Sequence, residues 1–124
     1  MALGKQIGEF SLKSTSFTYS TAGTGQVNFE GSVKGEGLTG AVLGTLHVAG
    51  APGAKSGTCS WVGAAYPENG EQINGTSEGT WERSGPNKWR IRGVLSLSDG
   101  RTQLSDGELE LATRLYTGKL FEWS

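Results

Sequence analysis

Val27-Asn28-Phe29-Glu30-Gly31-Ser32-Val33-Lys34, read VNFEGSVK, alternates apolar or glycine residues with polar ones. Successive side chains of an extended strand point to opposite faces, so Val27, Phe29, Gly31 and Val33 share one face and Asn28, Glu30, Ser32 and Lys34 the other. The pattern predicts a strand covered on one side and wetted on the other. The glycine on the covered side needs a cause, because glycine within a strand weakens it by up to roughly 1 kcal/mol relative to alanine.

The same face pattern recurs downstream. It reads Val42, Gly44, Leu46, Val48, then Cys59, Trp61, Gly63, Ala65, then Ile73, Gly75, Ser77, Gly79, Trp81. It continues as Trp89, Ile91, Gly93, Leu95, Leu97 and as Gly107, Leu109, Leu111. Eight extended segments are predicted, at about 7–19, 26–36, 40–49, 57–67, 72–83, 89–98, 101–112 and 115–123. Turn-forming runs separate them, among them Gly37-Leu38-Thr39-Gly40, Gly50-Ala51-Pro52-Gly53-Ala54-Lys55, Pro67-Glu68-Asn69-Gly70 and Asp99-Gly100. No stretch has the period of a helix of three turns, and no linker interrupts the series.

Short hairpin connections favour an all-β, antiparallel up-and-down β-barrel of about eight strands, with residues 1–124 as one domain, because closure removes both exposed sheet edges. The repeated inward glycines have two readings. They permit the sharp bending that closure demands, or they also leave a hollow that tryptophans line, an eight-stranded barrel being wide enough to hold one small ligand. The sequence leaves both open.

Charge and composition exclude several classes. Lys and Arg total 11 against 12 Asp and Glu, a net charge of −1, which withholds the attraction to phosphate that nucleic-acid binders use, so no nucleic acid is expected as a partner. No apolar run approaches the roughly 20 residues of a membrane helix, and no membrane partner is expected. One cysteine cannot form an internal disulfide, and the opening "MALGKQIGEF" lacks the apolar core of roughly 7 to 15 residues found in secretory signals, so a cytoplasmic location is expected. With one histidine and one cysteine, a zinc cluster is not expected. "GSVKGEG" is not followed by the Gly-Lys-Ser/Thr of a phosphate loop, and no cofactor is expected.

The runs "FEGSVKGEGLTG" and "INGTSEGTWE", with Gly-x-Gly spacings leading into strands that end in tryptophan, resemble those of calycin-type barrels and of small bacterial proteins with the allene-oxide-cyclase barrel. The resemblance covers about residues 26–123. It implies either carriage of a hydrophobic small molecule or a cofactor-free cyclase or isomerase that folds a flexible substrate inside an apolar cavity. Such an enzyme acts by holding a near-attack shape and needs few acid or base groups.

Candidate site residues follow from face and loop position. Trp61, Trp81, Trp89 and Phe29 share the apolar face and are expected either to fill the core or to bind an unsaturated apolar ligand. Tyr66 and Glu68 flank the turn after the fourth segment, where loops at a barrel mouth carry binding or catalytic groups. His47, the only histidine, lies opposite in parity to Val42 and Leu46 and is expected at the surface or rim; turned inward, it is the natural titrating group near neutral pH. Cys59 is expected as a small core residue, and Ser60 lacks the Gly-x-Ser-x-Gly setting of a hydrolase nucleophile. Glu78, Glu82, Glu108 and Glu110 fall on polar faces.

The stretch "GTWERSGPNKWRIRG", residues 79–93, first looks like a basic aromatic surface. Folded about Ser84-Gly85-Pro86-Asn87-Lys88 with Arg83 across from Trp89, it places Glu82 opposite Arg90 and Trp81 opposite Ile91. The expectation is therefore a barrel that binds a small hydrophobic molecule and either cyclises or isomerises it or simply carries it. A solid barrel that serves protein interaction or assembly is the alternative, and monomer and homo-oligomer both stay open.

Overall fold

A computed structural model describes residues 3–50 and 53–123. Met1, Ala2, Ser124 and the expected turn residues Ala51 and Pro52 lie outside the described residues. The chain forms β1 (Leu3–Tyr19), β2 (Thr24–Gly35), β3 (Leu38–Ala49), β4 (Ser56–Tyr66), β5 (Ile73–Gly85), β6 (Lys88–Leu97), β7 (Thr102–Glu110) and β8 (Leu115–Trp123). Each strand pairs antiparallel with the next, and β1 pairs with β8 to close the barrel. No helix is present among the described residues.

Several boundaries move from their expected places: β2 and β3 each start two residues early, so that Leu38, Thr39 and Gly40 of the expected turn belong to β3, and β5 runs on through Ser84 and Gly85. β1 begins at Leu3, because Leu3 pairs with Trp123 and Gln6 with Phe121 across the closing seam. β7 ends at Glu110, so Leu111 leaves the inner face for a turn in which Arg114 adopts a left-handed φ of 63°, and Leu111 is exposed.

The alternation of VNFEGSVK is realised as read: Val27, Phe29 and Val33 are buried while Glu30, Ser32 and Lys34 are exposed. Inner side chains make two clusters. Leu12, Val27, Phe29, Leu46, Ile91 and Tyr116 form the first, with Trp61 and Trp81 packed against it. Val33, Leu38, Ala65, Leu97 and Leu120 form the second, toward the end that carries the β2–β3 and β6–β7 turns.

The residue 79–93 stretch folds as expected, with Glu82 opposite Arg90, Trp81 opposite Ile91 and Arg83 opposite Trp89, and Asn87 at φ 57° turns the chain. The ion pairs, however, run diagonally. Arg92 bonds Glu82 at 2.8 Å, and Arg90 grips Asp106 through both Nε (3.0 Å) and Nη2 (2.6 Å). A long guanidinium side chain reaches the diagonal neighbour of a strand pair as readily as the direct one.

The inner glycines divide into two kinds. Gly79 faces Gly93 and Gly107 faces Gly118 across neighbouring strands. A side chain at Gly79 would run into the Arg92 carbonyl, one at Gly31 into the Ser11 carbonyl, and one at Gly107 would come within 2.7 Å of the Thr117 carbonyl oxygen. These backbones approach too closely for a methyl group, which is the curvature that closure requires. At Gly44 and Gly75 the neighbours are instead chiefly side chains, the Trp61 indole at the first and Leu95 with Leu97 at the second, while Gly63 has both the Trp61 indole and the Leu43 carbonyl against it.

One strand outruns the closure. The β1–β8 pairing ends at Lys13 with Leu115, whereas β1 stays paired with β2 as far as Tyr19 with Gly25. A register shift between Ser14 and Ser16 marks the start of this overhang, and Asn28 braces it by donating to Ser16 Oγ (2.7 Å) and accepting from Thr45 Oγ1 (2.7 Å).

Candidate ligand-binding site

A cavity of about 100 Å³ lies inside the barrel, and every strand contributes to its lining. Its wall is mostly aliphatic, with Leu12, Leu46, Ile91, Leu95 and Leu97 among the lining residues. Gly63, Gly75 and Gly93 lie in the same wall, whereas Gly31, Gly79, Gly107 and Gly118 do not. The curvature purpose is thus met at Gly31, Gly79, Gly107 and Gly118, while of the glycines in the cavity wall only Gly75 is free of a contact under 3 Å for an added β-carbon.

Four groups with polar atoms border the cavity from the inner face: Cys59, Ser77, Ser105 and Tyr116. Ser105 Oγ donates to the Gly93 carbonyl at 3.4 Å. Burial pushes the Cys59 thiol up to about 11, so it is a neutral group near pH 7. Burial, and secondarily the nearby Cys59 and Asp106, raise the Tyr116 phenol above its usual range. Tyr116 packs edge-on to Phe10 with ring centroids 4.9 Å apart and tilts against Phe29 at 5.5 Å. Arg92 borders the cavity too, but its guanidinium points outward to Glu82.

The residues singled out from the sequence are distributed unevenly about this space. Trp61 lines it. Phe29, only 2% exposed, lies behind the lining and packs on Trp61 at 6.2 Å between ring centroids. Trp81 caps the opposite end of the barrel, where its indole Nε1 donates to the Ala49 carbonyl at 3.0 Å and its ring covers Gly50 and Gly57. Trp89 is half-buried beside Leu109 and outside the cavity lining.

His47 lies on the outer face of β3, opposite Gln26 and Ser60. Tyr66 is exposed at the end of β4, and Glu68 is exposed in the turn that follows. The structure does not bring His47, Tyr66 and Glu68 to the cavity or to the tryptophans. Among the described residues no group of three or more His, Cys, Asp or Glu residues is arranged to hold a metal ion.

The residue that sequence reasoning passed over is Tyr116. Its signal was available: Tyr116, Gly118 and Leu120 alternate with Thr117 and Lys119 just as the earlier strands do.

Arg101 closes the end above the second core cluster. From the β6–β7 turn it bonds Asp99 (2.9 Å) and reaches across to the carbonyls of Glu36 (3.3 Å) and Gly37 (2.9 Å) in the β2–β3 turn. The Arg101 guanidinium in turn holds the Asp99 carboxyl below the usual carboxylate range.

No protein-family model, no curated protein and no solved structure matches this chain.

Proposed function

We propose that the barrel binds one small hydrophobic molecule in its interior cavity. The observation that carries the reading is the apolar cavity itself, walled by aliphatic side chains and Trp61, with Gly75 adding no side chain to the wall and lying beside only the ends of Leu95 and Leu97. Concave, mostly apolar spaces with a few convergent polar groups are where small ligands bind. The reading accords with the hydrophobic carriage of calycin-type barrels and, if the bound molecule turns over, with the cofactor-free cyclases and isomerases of the allene-oxide-cyclase type. On the enzyme branch, Tyr116 is the proton donor best placed to meet a substrate. A cytoplasmic protein, with its thiol kept reduced, is part of this reading.

The test is titration of a library of small apolar molecules, followed by tryptophan fluorescence and by native mass spectrometry of what co-purifies. Binding that is lost in a Gly75→Val variant supports the proposal. Fluorescence unmoved across the library, with nothing retained by mass, sinks it.

A second reading, assembly through the outer surface, is favoured by the β1 overhang. From Thr15 to Tyr19 the strand is paired only with β2, carries no charge, and exposes Phe17 and Tyr19 stacked 4.2 Å apart. An unguarded edge of this kind invites strand addition by a second copy. Sedimentation of the protein against a Phe17→Lys variant checks it: a dimer that the lysine dissociates supports the reading, and a monomer in both forms rejects it.

A further inference from the structure

The chemistry of the cavity wall restricts what can enter it. Tyr116 is only 6% exposed, and its hydroxyl makes no hydrogen bond among the described residues. Buried tyrosine hydroxyls almost always find a partner, because an unpaired one gives up roughly 1 to 3 kcal/mol of hydration. The Tyr116 oxygen is not sealed in protein either: the one sealed side-chain polar atom without a partner among the described residues is Gln103 Oε1. Tyr116 borders the cavity, as does Cys59, which is near enough to raise the phenol, and the hydroxyl is assigned to that shared space.

Charge and size narrow the choice. No Asp, Glu or Lys lines the space, and Arg92 spends its guanidinium on Glu82 outside. A carboxylate or ammonium would be stripped of water with no counter-charge, a penalty of many kcal/mol. A volume of about 100 Å³ is smaller than the cavity of about 150 Å³ known to hold benzene, so long chains and fused rings are too large.

We infer that the cavity takes a neutral molecule on the order of one five- or six-membered ring in size, bearing a carbonyl or ether oxygen that accepts a hydrogen bond from the Tyr116 hydroxyl. This rests on the cavity being a binding site. The phenol stays protonated through the physiological range and so is always a donor. Ser105 is already engaged with Gly93, so of the hydroxyls on the inner wall Tyr116 and Ser77 face the ligand, and Tyr116, the buried and more acidic donor, orients it.

The experiment compares cyclopentanone with methylenecyclopentane, its near-isostere lacking the oxygen, on the wild-type protein and on Tyr116→Phe. The variant keeps the ring contacts with Phe10 and Phe29, and equal thermal midpoints show that the fold is intact. The expected result is a roughly tenfold loss of cyclopentanone affinity in Tyr116→Phe with hydrocarbon affinity unchanged or improved. Equal cyclopentanone affinity in the two forms overturns the inference while leaving the cavity reading standing. If neither probe binds the wild-type protein, the cavity reading fails along with it. Should Tyr116→Phe not fold, the wild-type protein alone decides: a bound cyclopentanone carbonyl carbon downfield of its position in a hydrocarbon solvent supports the hydrogen bond, and one at that hydrocarbon position rejects it.

Discussion

A β-carbon on Gly63 would come within 2.7 Å of Trp61 Cζ2, so the indole occupies the space that a side chain two residues along the same strand would need. Trp61 therefore lies along the barrel wall, leaving the centre open. Gly63→Ala is expected to push the ring off its glycine bed into the cavity, costing about 1 to 3 kcal/mol through overpacking. The measurement is denaturant unfolding together with the tryptophan emission maximum, which should move in the variant.

Gly79 and Gly75 predict opposite outcomes for the same substitution. Gly79→Ala drives a methyl into the Arg92 carbonyl and within 2.8 Å of Gly93 Cα, and should destabilise by roughly 3 kcal/mol, since two paired backbones cannot separate locally. Gly75→Ala meets only the ends of Leu95 (3.2 Å) and Leu97 (3.3 Å). Loss of chain entropy in the unfolded state should make it neutral or stabilising by up to about 1 kcal/mol. Thermal unfolding of the pair decides it, and equal losses would refute the distinction.

Stability should hold to about pH 9 and then fall. The folded-state pKa of Cys59 is raised, from 9.0 to about 11, so its contribution is complete below pH 9 and is lost as the pH climbs to 11. Discounted for solvent screening of this half-buried group, the contribution is on the order of 1 kcal/mol, and the raised Tyr116 adds to it above pH 10. Cys59→Ala should flatten the decline between pH 9 and 11 in a series of melting curves without abolishing the later one.

At the acid end the sign reverses for Asp99, whose pKa is lowered from 3.8 by Arg101. Its contribution is present above that value and disappears as the pH drops below it. In Arg101→Ala the Asp99 carboxyl should titrate higher than in the wild type by NMR, while the backbone N–H of residue 101 still holds it down in part. The Glu36 and Gly37 amides, in the turn that Arg101 clasps, should exchange faster with solvent.

The barrel and much of its register were legible because they rest on local rules. A two-residue period fixes which way Val27 or Phe29 points, and Glu82 opposite Arg90 needs only a hairpin whose turn is recognisable. The diagonal bonding of Arg92 to Glu82 was not legible, since it depends on where a flexible guanidinium finds the better acceptor. Nor was the cavity. Its existence turns on Trp61 lying over Gly44 and Gly63, a rotamer that no spacing in the sequence specifies. Strand parity already predicts His47 at the surface or rim, and it lies on the outer face, while Tyr66 and Glu68, candidates from their place in a mouth loop, are exposed outside the cavity lining. Tyr116 could have been found by carrying the parity count into the last strand.

The closing seam has a kinetic meaning. Seven of the eight strand pairings join neighbours in sequence, each a hairpin that forms without waiting for the rest. The eighth ties Leu3–Lys13 to Leu115–Trp123 and encloses nearly the whole chain, at a loop-closure cost about 3 kcal/mol above that of a short turn. Its register also breaks twice, between Leu3 and Gln6 and between Gln6 and Gly8. The seam is then the last part of the wall to zip and the first to part. Amides of β1 facing β8 should trade deuterium sooner than those facing β2, which makes the line where the barrel shuts also the line along which it is weakest.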